Sequence, residues 1–309
     1  MAEAIRVAGL RKSYGSVRAV DGVDFTVPSG RVFAFLGPNG AGKTTTVEIL
    51  EGLRNRSAGE VRVLGLDPWS QGTELHRRIG VIPQEFRFFE KIHPAEAIVY
   101  YSRLFEHAAD PAALLKRVYL EEKADARFDT LSGGQKQKLG LALSLVNDPE
   151  VLFLDEPTTG LDPQARRGIW EVIRSLRAEG RTVFLTTHYL EEAELLADQV
   201  AIIHQGKIIA RGAPQEIIAA RGRPDRLQFE AGAEVARYLS SRLPFPITTD
   251  AGRVEVEIRE KEDTLRVLSA LAESHLAWEH LSVVRDTLED VFVRLVGSMD
   301  DGQLKAEAA

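Results

Sequence analysis

The 309-residue chain contains no cysteine, which excludes disulfides and thiolate zinc sites. It also lacks any apolar run approaching the ~20 residues that span a bilayer, so a membrane role has to come through a partner. The opening MAEAIRVAGLRKSYG has no apolar stretch of the kind a secretory signal needs, and the cytosol is the expected compartment. A basic excess is missing as well. Asp and Glu number 46 against 39 Lys and Arg, a formal net charge of −7. Neutralising a phosphate backbone needs the opposite balance, so no nucleic-acid partner is expected. No internal repeat stands out. What remains is ordinary globular material, 44% hydrophobic and 28% charged, enough for a sizeable core and about two domains at roughly 150 residues each.

Along the chain, IRVAGLRKSYG (5–15) and AVDGVDFTV (19–27) predict short antiparallel strands. RVFAFLG (31–37) is a nearly continuous apolar run ending in glycine, a buried strand that feeds a loop. TTTVEILEGL (44–53) reads as a helix with Val47, Leu50 and Leu53 on one face. EVRVLG (60–65) and IGVIPQ (79–84) read as strands. Between about 86 and 147 the character turns helical, in PAEAIVYYSRLFEH, PAALLKRVYL and GQKQKLGLALSLV. EVLFLDEP (150–157) is a core strand ending in two acids. Asp162 caps a helix with Pro163 at its first position, a stripe of Ile169, Val172, Ile173 and Leu176, and a stop at Gly180. TVFLTTH (182–188) is a strand, and VAIIHQGKIIARG (200–212) a hairpin turning at Gln205-Gly206. Strands alternating with helices predict a mainly parallel sheet with helices on both faces. AARGRPDR (219–226) marks a boundary, after which the pattern restarts as β-α-β-β-α-β, the order of a ferredoxin-like unit. A final helix, TLEDVFVRLVG, has capping-box spacing at Asp286 and Glu289. The expected domains are therefore 1–221, with a helical subdomain over about 86–147, then 222–297, then a frayed tail over 298–309.

Two loops carry phosphate chemistry. GPNGAGKTT spans Gly37, Pro38, Asn39, Gly40, Ala41, Gly42, Lys43, Thr44 and Thr45, and fits G-x-x-x-x-G-K-[ST] between a buried strand and a helix. Backbone N–H groups of such a loop surround phosphates, the lysine neutralises the terminal ones, and the threonine hydroxyl ligates Mg²⁺. The second loop, LSGGQ, places Ser132, Gly133, Gly134 and Gln135 where a helix begins, the build of an anion-binding turn. It has no Lys-Thr pair of its own. After VLFLD, Asp155 is placed to hold Mg²⁺ and Glu156 to deprotonate an attacking water. A solvated acidic turn is the bland reading of such a pair, and the four apolar residues before it argue against that. Phe86, Phe88 and Phe89 either fill the helical subdomain or edge a groove for a partner helix.

GPNGAGKT, LSGGQ, LFLDEP, GLDP and TTH, in this order, resemble the ATP-binding subunit of an ABC transporter over about residues 4–220. The resemblance implies a P-loop α/β core of ABC type with an antiparallel β subdomain and a helical subdomain. It implies ATP and Mg²⁺ as cofactors and catalysis by Lys43, Glu156 and His188, the last as the switch histidine at the γ-phosphate. It further implies Tyr14 stacked on adenine, Gln84 touching Mg²⁺ beside Thr44 and Asp155, the 132–135 signature, and Asp162 in the D-loop. That loop reads GLD where many members have ALD. Family members pair head to tail, so the resemblance implies that the signature loop completes a site built by another chain. EILEGL, YLEEAELLADQVAIIHQGKIIARGAP and TLEDVFVRLVG are similar to ATPases of ABC-2-type exporters, a group whose cargoes include drugs, antibiotics and lipids. Such an ATPase, as a homodimer or paired with another ATPase, sits on the cytoplasmic face of the membrane beneath a separate ABC-2-type permease. An importer ATPase and a soluble ABC ATPase outside transport are the alternatives.

Overall fold

The computed structural model describes residues 2–84, 86–105 and 109–307. The chain divides into two compact units, residues 1–215 and 216–309.

In the first unit, β1 (Glu3–Tyr14) and β2 (Val17–Pro28) form a long antiparallel pair, followed by β3 (Val32–Leu36), α1 (Lys43–Leu50), β4 (Ala58–Val63), α2 (Gly72–His76) and β5 (Ile79–Ile82). The helical block holds α3 (Pro94–Ser102), α4 (Pro111–Arg117) and α5 (Gly133–Ser144). Then come β6 (Val151–Asp155), α6 (Pro163–Ala178), β7 (Thr182–Thr187), α7 (Leu190–Leu196), β8 (Gln199–His204) and β9 (Lys207–Gly212), and α8 (Pro214–Arg221) crosses the division. The main sheet runs β5-β6-β7-β3-β8-β9, parallel except at the last pair, and a smaller antiparallel sheet runs β2-β1-β4.

The parallel register explains the core. Phe33, Phe153 and Phe184 lie side by side on neighbouring strands and so share a face. They stack with Phe25 of β2 and Phe35, at centroid distances of 5.3–6.0 Å. All five rings are fully buried, each contributing about 1.5–3 kcal/mol of transfer free energy. One face of the parallel sheet is thus covered by the antiparallel sheet and α1 together, where the alternation predicted helices alone. Helices α6 and α7 pack from the strands β7 and β3.

The second unit contains β10 (Asp225–Ala231), α9 (Ala233–Arg242), β11 (Ile247–Asp250), β12 (Arg253–Ile258), α10 (Lys261–Ser274), β13 (Trp278–Val284) and α11 (Leu288–Glu307). Its sheet is antiparallel in the order β11-β12-β10-β13, so β12 splits the first βαβ pair, as the β-α-β-β-α-β pattern requires. Leu227, Phe229, Val254 and Val256 pack against Val235, Leu239, Val267 and Leu271 of the two helices.

Three expectations are corrected. Leu53 is exposed, because α1 ends at Leu50 with Glu51 as its C-cap. The last helix continues to Glu307 where a tail was expected from 298: QLKAE (303–307) contains good helix formers and no proline to stop it. Its capping box is Thr287 with Asp290, whose backbone amides and side chains bond reciprocally, and not Asp286 with Glu289. Asp286 instead accepts from Arg226, Arg294 and the Arg223 amide.

Candidate functional site

The phosphate loop joins the end of β3 to the start of α1, and it is held from below by the β8–β9 turn. The Gly206 amide donates to Ala41 O at 3.0 Å, and the Asp21 amide to Gly206 O at 2.8 Å. Gly42 is the N-cap of α1 with φ of 107°, a conformation that excludes ordinary side chains. A Cβ there would also lie 2.3 Å from the Ala19 carbonyl, and one at Gly37 2.3 Å from the Ile203 carbonyl. The first turn of α1 has no acidic residue, so its free N–H groups and dipole are left to an anion. A cavity of about 370 Å³ opens over this loop, lined by Asn39, Gly40, Gly42, Lys43, Thr44 and Thr45 with Ala19, Gln84 and Glu156.

Lys43 is buried, and its ammonium donates to Gly37 O at 2.8 Å and Pro38 O at 3.3 Å. It also lies 3.4 Å from Glu156 Oε1. The other oxygen, Glu156 Oε2, accepts from Gln84 Nε2 at 3.2 Å and Thr159 Oγ1 at 3.1 Å, and lies 3.1 Å from His188 Nδ1. Residues from three separate motifs, Lys43, Gln84 and His188, therefore meet Thr159 of the same loop on one carboxylate. Glu156 itself stands in the left-handed region at φ of 48°, rare for a non-glycine residue. Its amide holds it there by bonding to Thr186 O at 3.1 Å and Thr186 Oγ1 at 3.0 Å. The same Thr186 hydroxyl donates to Asp155. Burial pushes the Asp155 carboxyl upward from its ordinary range. The Thr186 bond opposes this, and the neighbouring Glu156 adds to it.

Among the described residues, no cluster of three or more metal-ligating His, Asp or Glu side chains forms. The oxygen donors at the loop are the hydroxyls of Thr44 and Thr45, the Gln84 amide and the buried carboxylate of Glu156, with the buried Asp155 carboxylate close enough to feel the Lys43 charge. That set suits Mg²⁺ bound mainly by phosphates and water, not a cation caged by protein alone.

Ser132, Gly134, Gln135 and Asp162 line a different cavity, of about 760 Å³, which shares no residue with the first. Ser132 caps α5 through Gln135 N at 3.3 Å, while Gln135 Oε1 accepts from Ser132 N at 3.0 Å. Gly133 opens α5, and a Cβ on Gly134 would lie 2.6 Å from Ala165 Cβ, so α5 meets α6 closely there. Asp162 caps α6 through the amides of Gln164 and Ala165, both at 2.9 Å. Tyr14, at the end of β1, is not among the residues lining the phosphate cavity. Its ring is half exposed between Lys12 and Arg54, at 5.1 and 5.4 Å. The phenylalanines divide. Phe86 packs on Phe128 and Gly140, whereas Phe89 is exposed against exposed Tyr100.

The ABC transporter family matches residues 20–159. The daunorubicin/doxorubicin resistance ATP-binding protein DrrA of Streptomyces peucetius is 38% identical over 99% of this chain and 96% of its own. The chain belongs to the ATP-binding proteins of ABC transporters. The Nod factor export ATP-binding protein I of Paraburkholderia xenovorans is 41% identical to this cassette, over 95% of the chain and 97% of its own. A solved ATP-binding cassette, a dimer in a post-hydrolysis state bound to ADP and Pi, shares the fold at a TM-score of 0.61 and 24% identity, covering 68% of this chain and 98% of its own. The cassette thus binds ATP, and it belongs to a family that hydrolyses ATP to power transport. No helix among its described residues is long and apolar enough to cross a membrane. Of the groups around Glu156, sequence reasoning missed Thr159 and Thr186. The signal for Thr186 was the threonine pair in FLTTH, read as strand and as the lead-in to His188.

Proposed function

We propose that the cassette is the ATPase subunit of an ABC-2-type exporter, working as a head-to-tail pair on the cytoplasmic face of the membrane beneath a separate permease. The observation that carries the catalytic part is the convergence of Lys43, Gln84 and His188 on Glu156. In this reading Lys43 and the amides of residues 39–45 hold the ATP phosphates. Thr44, Gln84 and Asp155 would hold the Mg²⁺ that arrives with the nucleotide, an ion that supplies charge neutralisation. Glu156 takes a proton from water as its oxygen attacks the γ-phosphorus and the bond to the β-phosphate oxygen breaks, releasing ADP and phosphate. His188 orients Glu156 and the γ-phosphate, and Tyr14 stacks on adenine.

The separation of the signature and Asp162 from the phosphate cavity within one chain supports pairing, and so does the dimeric relative. The two curated relatives are named for drug resistance and for export, which supports an exported drug, antibiotic or lipid-like cargo. Exposed Phe89, Tyr100 and Leu104 on and beside α3 are apolar side chains suited to a permease segment. The second unit serves dimer contact or regulation and holds no catalytic residue.

Two variants test the site. Lys43→Ala is expected to abolish hydrolysis and weaken MgATP binding sharply. Glu156→Gln is expected to keep ATP binding while losing roughly 10²–10⁴-fold in turnover, with an ATP-dependent mass shift to a closed dimer. Wild-type turnover in either purified variant refutes the role given to that residue.

A further inference from the structure

Glu192 of α7 is fully buried, yet no role above uses it. Its Oε1 accepts two hydrogen bonds of 2.9 Å, one from Thr158 Oγ1 and one from Trp170 Nε1. Thr158 lies two residues beyond Glu156, between it and Thr159, which also bonds Glu156. Trp170 belongs to α6, the helix that Asp162 caps. Glu192 itself begins four residues after His188. One oxygen therefore ties together the loop that carries Glu156, the helix behind Asp162 and the segment that carries His188. A second link runs in parallel. The Arg166 guanidinium of α6 lies 4.2 Å over the Tyr189 ring, and Tyr189 packs on His188 with centroids 4.1 Å apart.

Neither link touches the phosphate loop. A carboxylate placed in the core only for stability is weakly favoured, because desolvation offsets much of what its bonds return. Here its Oε2 and the Nε of Arg166, whose charge acts on this carboxylate, are both buried without a hydrogen bond of normal geometry, and the Thr187 side chain is the further polar neighbour. An apolar side chain would avoid that arrangement. It would also lose the one acceptor that both Thr158 and Trp170 use.

We propose that Glu192 is a positioning residue for hydrolysis: it holds the loop of Glu156 and the segment of His188 in register with α6. The proposal rests on the catalytic assignments of Glu156 and His188. It makes a specific division between binding and turnover. Loss of the acceptor lets the 156–159 loop drift, so kcat falls, while the phosphate loop keeps its grip on nucleotide.

The test uses the full-length chain, with steady-state ATPase kinetics, binding of a fluorescent ATP analogue and thermal melting measured together. Glu192→Ala is expected to lower kcat at least tenfold with the nucleotide Kd within about threefold of wild type. Glu192→Gln, which keeps an acceptor oxygen, is expected to recover most of that loss. Thr158→Val and Trp170→Phe each remove one bond and are expected to lower kcat several-fold. The two combined should add little further loss when placed on Glu192→Ala. A folded Glu192→Ala with wild-type kcat overturns the proposal, as does a parallel loss of kcat and affinity that Gln does not relieve. If Glu192→Ala does not fold, the single-bond variants decide: wild-type kcat in both overturns it. Lys43→Ala and Glu156→Gln run alongside as controls. If those two retain activity, the site assignment itself has failed. If they are inactive and Glu192→Ala is normal, only the positioning role has.

Discussion

Most residues of the site are recognisable because their chemistry is local. A glycine-lysine-threonine run or an acid pair after four apolar residues states its role within ten positions. The side chains that position them are not local. Thr186 bridges Asp155 and Glu156 from a neighbouring strand, and a threonine inside a strand reads as β-propensity until the strand order is known. Glu51 is a sharper case, a glutamate in EILEGL that reads as a solvated helix position. The structure buries it at the end of α1, and burial, with Asp155 and Glu48 adding to it, pushes its pKa up to about 8. His76 packs beside it through Nε2 to the Glu51 carbonyl at 2.7 Å. The sign follows from proton binding. Between the ordinary glutamate range and about pH 8 the folded chain holds a proton that the unfolded chain has lost, so this group's contribution to stability falls as pH rises through that window. Across it the loss amounts to a few kcal/mol, at most ~1.4 per pH unit. Glu51→Gln is therefore expected to melt higher than wild type at pH 8–9 and to match it near pH 5, measured without nucleotide. Equal melting temperatures at both pH values would mean that Glu51 is not held neutral.

At the scale of elements, hydrophobic period and punctuation located the strands and the longer helices, including the Asp162-Pro163 start of α6 and the Gln205-Gly206 turn, but not the short helices α2, α7 and α8. The order of strands in the main sheet was not legible, because pairing is long-range and the chain carries no mark of which strand meets which. Nor was the antiparallel sheet's place over the Phe cluster. The start of α11 shows how spacing misleads. Asp286 and Glu289 have capping geometry in sequence, but Thr287 and Asp290, one residue on, satisfy the helix end. That frees Asp286 to enter the interior of the second unit, where it meets Arg226 Nη2 at 3.0 Å and Arg294 Nη2 at 2.6 Å. Burial alone would raise its pKa. The Arg223 amide and the two guanidinium groups outweigh that and hold it below the ordinary aspartate range. Removing one partner of a buried ion pair strands the other, at roughly 3–5 kcal/mol, whereas losing an N-cap costs about 1 kcal/mol. Asp286→Ala is accordingly expected to destabilise the second unit several times more than Thr287→Ala. Hydrogen exchange of the β10 and β12 amides measures both. The reverse order would return the cap to Asp286.

At the scale of the molecule, one chain carries two turns, both proposed above to meet phosphate, that line separate cavities. If the pairing proposed above holds, each turn works with the other type on a second chain, and two inactive variants should rescue one another. The choice of variant matters. Gly134 is unsuitable, because any side chain there collides with Ala165 of the same chain and disturbs the α5–α6 contact whether or not a partner exists. At Gly133 an added Cβ meets only Leu161, at an ordinary 3.6 Å, and aspartate is welcome in the first turn of a helix. Gly133→Asp thus sets a negative charge at the start of α5 while leaving its own chain's packing intact. A homodimer of Gly133→Asp has two defective sites, and so has a homodimer of Lys43→Ala. A mixed dimer gathers both lesions into one site and leaves the other whole. Mixing the two purified variants with the membrane partner is expected to restore vanadate trapping of nucleotide at the intact site. Trapping is the better readout, since steady turnover requires both sites if the two alternate. Should two affinity tags show that subunits have exchanged while trapping stays at the homodimer level, the signature loop does not act on a partner's nucleotide, and its anion-binding turn must serve its own chain.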